Sequence, residues 1–202
     1  AFAEPVFHAW ANILDNYFSN KIFNRLTPLI FLSSILGFIV LPIIWIIDAP
    51  TIISFKFLGI LFVVSLIEIF YVYLYYWALR NTDTSVVASL FSLGAITVPL
   101  FAFFFIGERL MPSQYLGFFL ITFSSLILAL DLKKMKLNKA FILMLIVSIA
   151  LAIQSILLKY IYEQGVNWGT SIIWMILFQF VIAGILILQP KNLIEFKSAI
   201  PK

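Results

Sequence analysis

An all-α, multi-pass membrane bundle is the fold this sequence predicts, and three observations predict it. Of 202 residues, 63% are hydrophobic and only 11% are charged, which is more apolar surface than a soluble domain can hide. Apolar runs close to the ~20 residues needed to cross a bilayer recur along the chain. The chain also repeats itself: residues 7–40 lie without a gap on 150–183, an offset of 143 residues. In that register Ala9 falls on Ala152, Ile13 on Ile156, Leu14 on Leu157 and Tyr17 on Tyr160. Thr27 then falls on Thr170, Ile30 on Ile173 and Ile39 on Ile182. The polar breaks coincide too, one helix ending near Ser19 or Glu163 and the next starting at a Thr in both copies. Internal repeats of spanning helices mark secondary transporters, whose sites lie between the halves.

The first predicted helix, about 1–19, is the most polar. His8, Asn12, Asp15 and Ser19 recur on one stripe, which must face protein or water because lipid offers no partners. Asp15, close to the helix end, suits an interfacial place. Helices over about 29–47 and 57–79 follow. At the middle of the latter stands Glu68, on one face with Leu61, Ser65, Tyr71, Tyr75 and Ala78. A carboxyl at bilayer depth is costly and is expected to face the interior. There it can exchange protons, or simply stay protonated against a neighbouring helix with no part in transport. Tyr71 and Tyr75 are expected on a cavity wall, while Tyr73, Tyr76 and Trp77 suit an interfacial aromatic belt.

The fourth helix, 84–106, carries Ser85, Ala88, Ser89, Ser92, Ala95, Pro99 and Ala102 on one small-residue face. Such a face lets backbones approach closely in lipid, with substrate contact as the alternative. Pro99 removes a backbone hydrogen bond and is a candidate flexing point. Gly107 suits a helix C-terminus, leaving Glu108 and Arg109 at the water boundary to close the turn. A fifth helix at 114–131 leads into a basic loop, 132–139. The sixth, 140–162, has Ser148, Ala152, Ser155 and Lys159 on a stripe beside Gln154, with Lys159 placed to snorkel to the surface. The seventh, 169–188, brings Trp174 and Gln179. Gln179 at mid-depth needs a partner. A loop is expected to follow.

These helices divide into a first five-helix repeat at 1–131, the linking loop at 132–139 and the start of a second repeat at 140–202. The chain begins without Met, and the offset places the start of the sixth helix on a position before residue 1. Adding the offset to Phe57 gives Ile200. The native chain is therefore expected to continue for roughly three more helices, helices 8–10, each of about 20 residues. A five-helix unit is odd, so its second copy must enter the membrane in the opposite sense.

Other classes are disfavoured. Cys is absent, which removes disulfides, thiol nucleophiles and thiolate metal sites. One His cannot supply a multi-His metal site, and no Gly-rich phosphate loop occurs, so neither metal nor cofactor is expected. The net charge of +4 lies in loops, without the aromatic-basic face that nucleic acid requires. It reads as topology instead: most Lys and Arg follow odd-numbered helices, making the 132–139 loop cytoplasmic and the start of the first helix external.

Residues 78–128 carry a more specific signal. Ala78-Leu79, the small residues and Pro from Ser85 through Pro99, the turn Gly107-Glu108-Arg109-Leu110, and then Gln114 and Gly117 resemble the EamA-type members of the drug/metabolite transporter superfamily. Trp10, Asn12 and Asp15-Asn16-Tyr17 are similar to the family's opening helix. The resemblance implies a ten-helix carrier of two inverted five-helix repeats, and a cytoplasmic N-terminus, opposite to the Lys/Arg count. Residues and resemblance together give a carrier in the plasma (inner) membrane of a prokaryote, moving a small organic solute by alternating access. Protons or the solute's own gradient would drive it. The substrate-pathway candidates are Asn12, Glu68, Tyr71, Tyr75, Gln154, Trp174 and Gln179. Ser85, Ser89, Ser92, Pro99, Gly107 and Glu108 serve packing and turns, and no residue is assigned to catalysis. The partners expected are the bilayer and the small-molecule substrate. A non-transporting scaffold of the same fold and a membrane-embedded enzyme are the alternatives.

Overall fold

The computed structural model describes residues 3–107, 109, 111–131, 136–137 and 139–199. The protein is an all-α membrane bundle, with helices at each of the seven places expected. They are α1 (Ala3–Tyr17), α2 (Leu26–Gly37), α3 (Leu41–Ile47), α4 (Phe55–Asn81), α5 (Thr84–Leu90), α6 (Gly94–Ile106), α7 (Pro112–Ala129), α8 (Lys139–Glu163), α9 (Trp168–Ile187) and α10 (Pro190–Ala199). Four segments are long and apolar enough to span a bilayer: Leu26–Ile47, α4, α8 and α9. Between α7 and α8 a short antiparallel ladder pairs Leu130 with Leu137 and Asp131 with Lys136. The four lysine-rich residues between its strands lie outside the described residues.

Three departures from the sequence reading have local causes. The second span breaks into α2 and α3, because Pro42 has no N–H and its ring crowds the carbonyl four residues back. Residues 38–41 instead bond three residues back, from Phe38 N to Ile35 O (3.0 Å) through Leu41 N to Phe38 O (3.3 Å). The fourth span is interrupted at Phe91–Leu93, a single 3-10 turn before Gly94. Pro99 itself is carried inside a continuous α6. The segment after α9, expected as a loop, forms α10; its near-zero hydropathy hid it from a search for apolar runs.

Two of the expected turn signals take the form their chemistry suggests. Gly107 adopts a φ of 77°, its N–H closing on Phe103 O at 3.1 Å, the left-handed stop that a β-carbon would strain. Gln114 accepts from Met111 N at 2.6 Å, satisfying an orphan amide at the start of α7 beside Pro112.

The chain packs as two compact units. One comprises Ala1–Lys21 and Leu74–Ile153, the other Ile22–Tyr73 and Gln154–Lys202. In the first, Thr97 of α6 donates to Ser148 O of α8 at 2.9 Å. Of the predicted stripe on this helix, Ser148 and Ala152 are 2% and 0% exposed, whereas Ser155 is exposed. The small-residue face lies in this unit too. Ala102 is buried and Ala88 partly so, while the side chains of Ser85, Ser89, Ser92 and Ala95, like that of His8, lie outside the described residues, as does Glu108.

In the second unit, α2 and α9 pack along their length, with Phe31 stacked on Phe180 at 5.8 Å and Phe38 edge-on to it at 5.0 Å. They run in opposite senses, because each helix start is held by an acid that follows the other helix. Asp48, just after α3, accepts from Gly169 N (2.6 Å) and from Asn167 Nδ2 (2.7 Å) at the start of α9. Glu195, in α10 beyond the end of α9, accepts from Asn24 N and from Arg25 N (2.9 Å) at the start of α2. Carboxylates at helix N-termini meet both the orphan N–H groups and the positive end of the dipole. Asn167 also caps its own helix, accepting from Thr170 N at 3.2 Å. A β-carbon on Gly169 would lie 2.0 Å from Asp48 O, so only glycine permits this approach.

Candidate functional site

Glu68 lies on the face of α4 that turns inward. Along it Leu61, Ser65 and Ala78 are fully buried and Tyr75 is 7% exposed. Phe62, Val63, Leu66 and Phe70 point outward, as expected of a helix in lipid. Just below Glu68, Ser65 bonds back to Leu61 O (2.9 Å) and across to Met175 O of α9 (3.4 Å), which fixes α4 against that helix.

The carboxyl meets two amides from two other helices. Gln154 of α8, itself 7% exposed, donates from Nε2 to Glu68 Oε2 at 3.0 Å. Gln179 of α9 is the carboxyl's second amide neighbour. Gln154 also neighbours the Tyr71 hydroxyl, one turn along α4. Four of the substrate-pathway candidates, Glu68, Tyr71, Gln154 and Gln179, thus lie in one cluster within the second unit. Trp174 is not among its polar partners. It packs with Leu158, Met175 and Phe178 on an apolar core of Leu61, Ile161 and Val166, its ring 5.5 Å from that of Phe178.

The cluster can accommodate a proton without falling apart. An amide offers both donors and an acceptor, so it can serve a carboxylate or, turned over, a carboxylic acid. Hydrogen bonds from Gln154 to Glu68 and from Ser65 to Met175 O tie α4 to α8 and to α9.

The other predicted residues form a second cluster, in the first unit. Tyr75 donates to Asn12 Oδ1 at 2.6 Å and lies 3.2 Å from Asp15 Oδ2. Tyr76 reaches Asp15 Oδ1 at 3.3 Å. Asn12, sequence-predicted to share a pathway with Glu68, is thus committed to Tyr75, and the Glu68 partners are the glutamines. Other polar groups at and just beyond the end of α1 are also used against protein. Asn16 donates to the Thr84 hydroxyl, Asn20 to Asn16 Oδ1 at 2.7 Å, and Arg80 Nε to Ser19 O at 2.7 Å. Beside these groups opens a polar cleft of about 580 Å³ lined by Asn16, Asn20, Arg80, Asn81, Asp83 and Thr84. A smaller, apolar cleft of about 220 Å³ lies between α6 and α7 against Pro99, Phe103, Tyr115 and Phe118.

Sequence reasoning missed three contributors. Tyr76, assigned to an interfacial belt, is 4% exposed and bonded to Asp15; its neighbours Tyr73 and Trp77 are exposed, at 46% and 39%. Asp48 and Asn167 escaped notice because each looks like a loop residue, and their pairing spans 119 residues of sequence. Lys159, placed to snorkel, is 3.9 Å from Glu163 one turn on.

Set beside known proteins, the chain matches no curated sequence and no solved structure, but a profile of the EamA-like transporter family covers residues 14–130. That stretch is more than half of the chain and contains the small-residue helix, the Gly107 turn, Glu68, and Asp15, Tyr75 and Tyr76 of the second cluster. This helical membrane protein belongs to the EamA-like transporter family.

Proposed function

We propose that this protein is a secondary transporter that moves a small organic solute across the plasma (inner) membrane of a prokaryotic cell by alternating access. In this reading Glu68 exchanges a proton during the cycle. The observation that carries it is the position of Glu68: mid-span, on the inward face of α4, held by amides from α8 and α9. A charge at that depth is costly and is usually retained for ion or substrate traffic. Neutral amide partners leave the carboxyl free to load and release a proton, where a buried Lys or Arg would hold it ionised. Amide neighbours on two separate helices mean that a change in the charge of Glu68 alters how α8 and α9 are held against α4.

The cluster supports a solute with hydrogen-bonding groups, since carboxyl, amide and phenol are its chemistry. Transport rather than covalent conversion is supported by the family to which the chain belongs. The test is solute flux into proteoliposomes under an imposed pH gradient, with Glu68→Gln beside the parent. Saturable, pH-driven uptake by the parent and its loss in a normally folded variant is the expected result. Identical pH profiles for the two proteins would remove Glu68 from the mechanism. Recovery of a chemically altered solute would overturn transport as the activity.

A further inference from the structure

We infer that α10 is an interfacial helix that binds anionic lipid headgroups through Lys191 and Lys197. Its setting is defined on both flanks. On one, Asn192, 4% exposed, donates from Nδ2 to Leu186 O at 3.1 Å, close to the end of α9. On the other, Glu195 accepts from Arg25 N at 2.9 Å and lies 3.7 Å from the Arg25 guanidinium at the start of α2. Phe196 completes the anchor, edge-on to Phe31 at 5.2 Å. The first turn of α10 therefore touches the finish of one span, and its middle touches the first half of the antiparallel neighbour. A helix of 10 residues is about 15 Å long, and packed helices lie about 8–10 Å apart. The geometry lays α10 across the end of the pair, at the level where both spans leave the hydrocarbon.

These anchors decide which face remains outward. Asn192, Glu195 and Phe196 point to the protein, and the opposite face presents Lys191, Ile194, Lys197 and Ser198. Ile194 is 69% exposed at the centre of that face, and Leu188, just before the helix, is also 69% exposed. A lysine lies three residues to either side of Ile194. Among the described residues neither lysine forms an ion pair. An apolar residue flanked by long basic side chains at the edge of a membrane span is the pattern of a surface-lying helix. Ile194 and Leu188 enter the acyl boundary, and the ammonium groups snorkel to phosphate. The charge selects the lipid: a zwitterionic surface gives two lysines little, whereas an anionic one attracts each by about 1 kcal/mol.

The test is hydrogen–deuterium exchange over residues 188–199 in the purified protein, reconstituted either in phosphatidylcholine or in a phosphatidylcholine–phosphatidylglycerol mixture. Anionic lipid should slow exchange in this segment by roughly 30-fold, the effect of two lysines combined. The double variant Lys191→Gln/Lys197→Gln should lose that difference, and Lys191→Arg/Lys197→Arg should keep it. Ile194→Asn should raise exchange in both lipids. Unchanged exchange in α9 shows that each variant has folded. Equal exchange in the two lipids, or a difference that survives loss of both lysines, would overturn the inference. Protection by inorganic phosphate in phosphatidylcholine alone would also overturn it, since the ligand would then be a free anion. An unaltered Ile194→Asn profile would mean that this face does not meet lipid.

Discussion

Glu68 and Asp15 are both acids on inward helix faces, yet their surroundings differ in kind. Glu68 is met by amides, from Gln154 and Gln179. Asp15 is met by phenol hydroxyls, from Tyr75 and Tyr76. The Tyr75 hydroxyl has one hydrogen and two oxygens to satisfy, and the 2.6 Å contact to Asn12 takes it ahead of the 3.2 Å contact to Asp15. Asp15 also stands near the end of α1, next in sequence to Asn16, which lines the polar cleft where Arg80 and Asn20 gather. Glu68 has Leu61 and Val64, both fully buried, along its own helix. A carboxyl beside a polar cleft is stabilised by its neighbours and has no need of a function. One at mid-depth among apolar residues carries a cost that ordinary packing would avoid, by using Leu or Met instead. The comparison supports the role proposed for Glu68 and a structural one for Asp15.

The strongest way to break this assignment is to neutralise each acid in turn. Glu68→Gln should abolish the pH dependence of uptake, while Asp15→Asn should leave it in place, both measured in proteoliposomes across a pH series. If Asp15→Asn is the variant that flattens the profile, the roles are reversed. A second, smaller effect concerns what the Glu68 cluster contributes to the fold. Glu68→Leu leaves Gln154, a 7% exposed amide, without its acceptor. The expected loss is about 1–2 kcal/mol, the upper range for cross-helix hydrogen bonds in membranes. Thermal unfolding in detergent measures it. A gain in stability would show that the carboxyl is held against the interests of packing, which sharpens the functional reading further.

Much of this architecture could be read from residue type and spacing alone. Seven helical places followed from apolar runs, and the inward face of α4 followed from period and polarity. Gln179 was expected to need a partner at mid-depth and has one in Glu68. What could not be read depended on long-range geometry or on weak signals. Tyr75 and Tyr76 are adjacent in sequence, so helical spacing points them about 100° apart, and only the position of α1 shows that both reach Asp15. The Asp48–Asn167 cap joins two loops that carry no mark of each other. Pro42 was visible, but Pro99 also lies in a predicted span, and only one of the two breaks its helix. In α10 half the residues are polar and buried contacts come from Asn192 and Phe196, so hydropathy passes over it.

Tyr75→Phe tests the Asp15 side of the comparison. Loss of the hydroxyl frees the Asn12 oxygen and removes one neighbour of Asp15, while the ring keeps its edge-on contact with Phe91 at 5.4 Å. The expected cost is about 1 kcal/mol, read as a lowered unfolding temperature, with the pH profile of uptake unchanged. A changed profile would join the two clusters into one functional path.

The smallest effect belongs to Tyr76→Phe. Its hydroxyl reaches Asp15 at 3.3 Å, longer than the 2.7–2.8 Å typical of hydroxyl donors. The ring is buried and remains so in phenylalanine, so the packing is kept while the long bond to Asp15 is lost. A destabilisation of about 0.5 kcal/mol is expected, near the average for such bonds in membranes. The informative experiment is the double variant with Tyr75→Phe. If Asp15 is held by the two phenols as a pair, removing both costs more than the two single losses together, because the carboxyl then has neither neighbour. If the losses simply add, each tyrosine acts alone. A double variant as stable as the parent would show that Asp15 takes its support from the cleft beside it, and that the phenols are there for their rings.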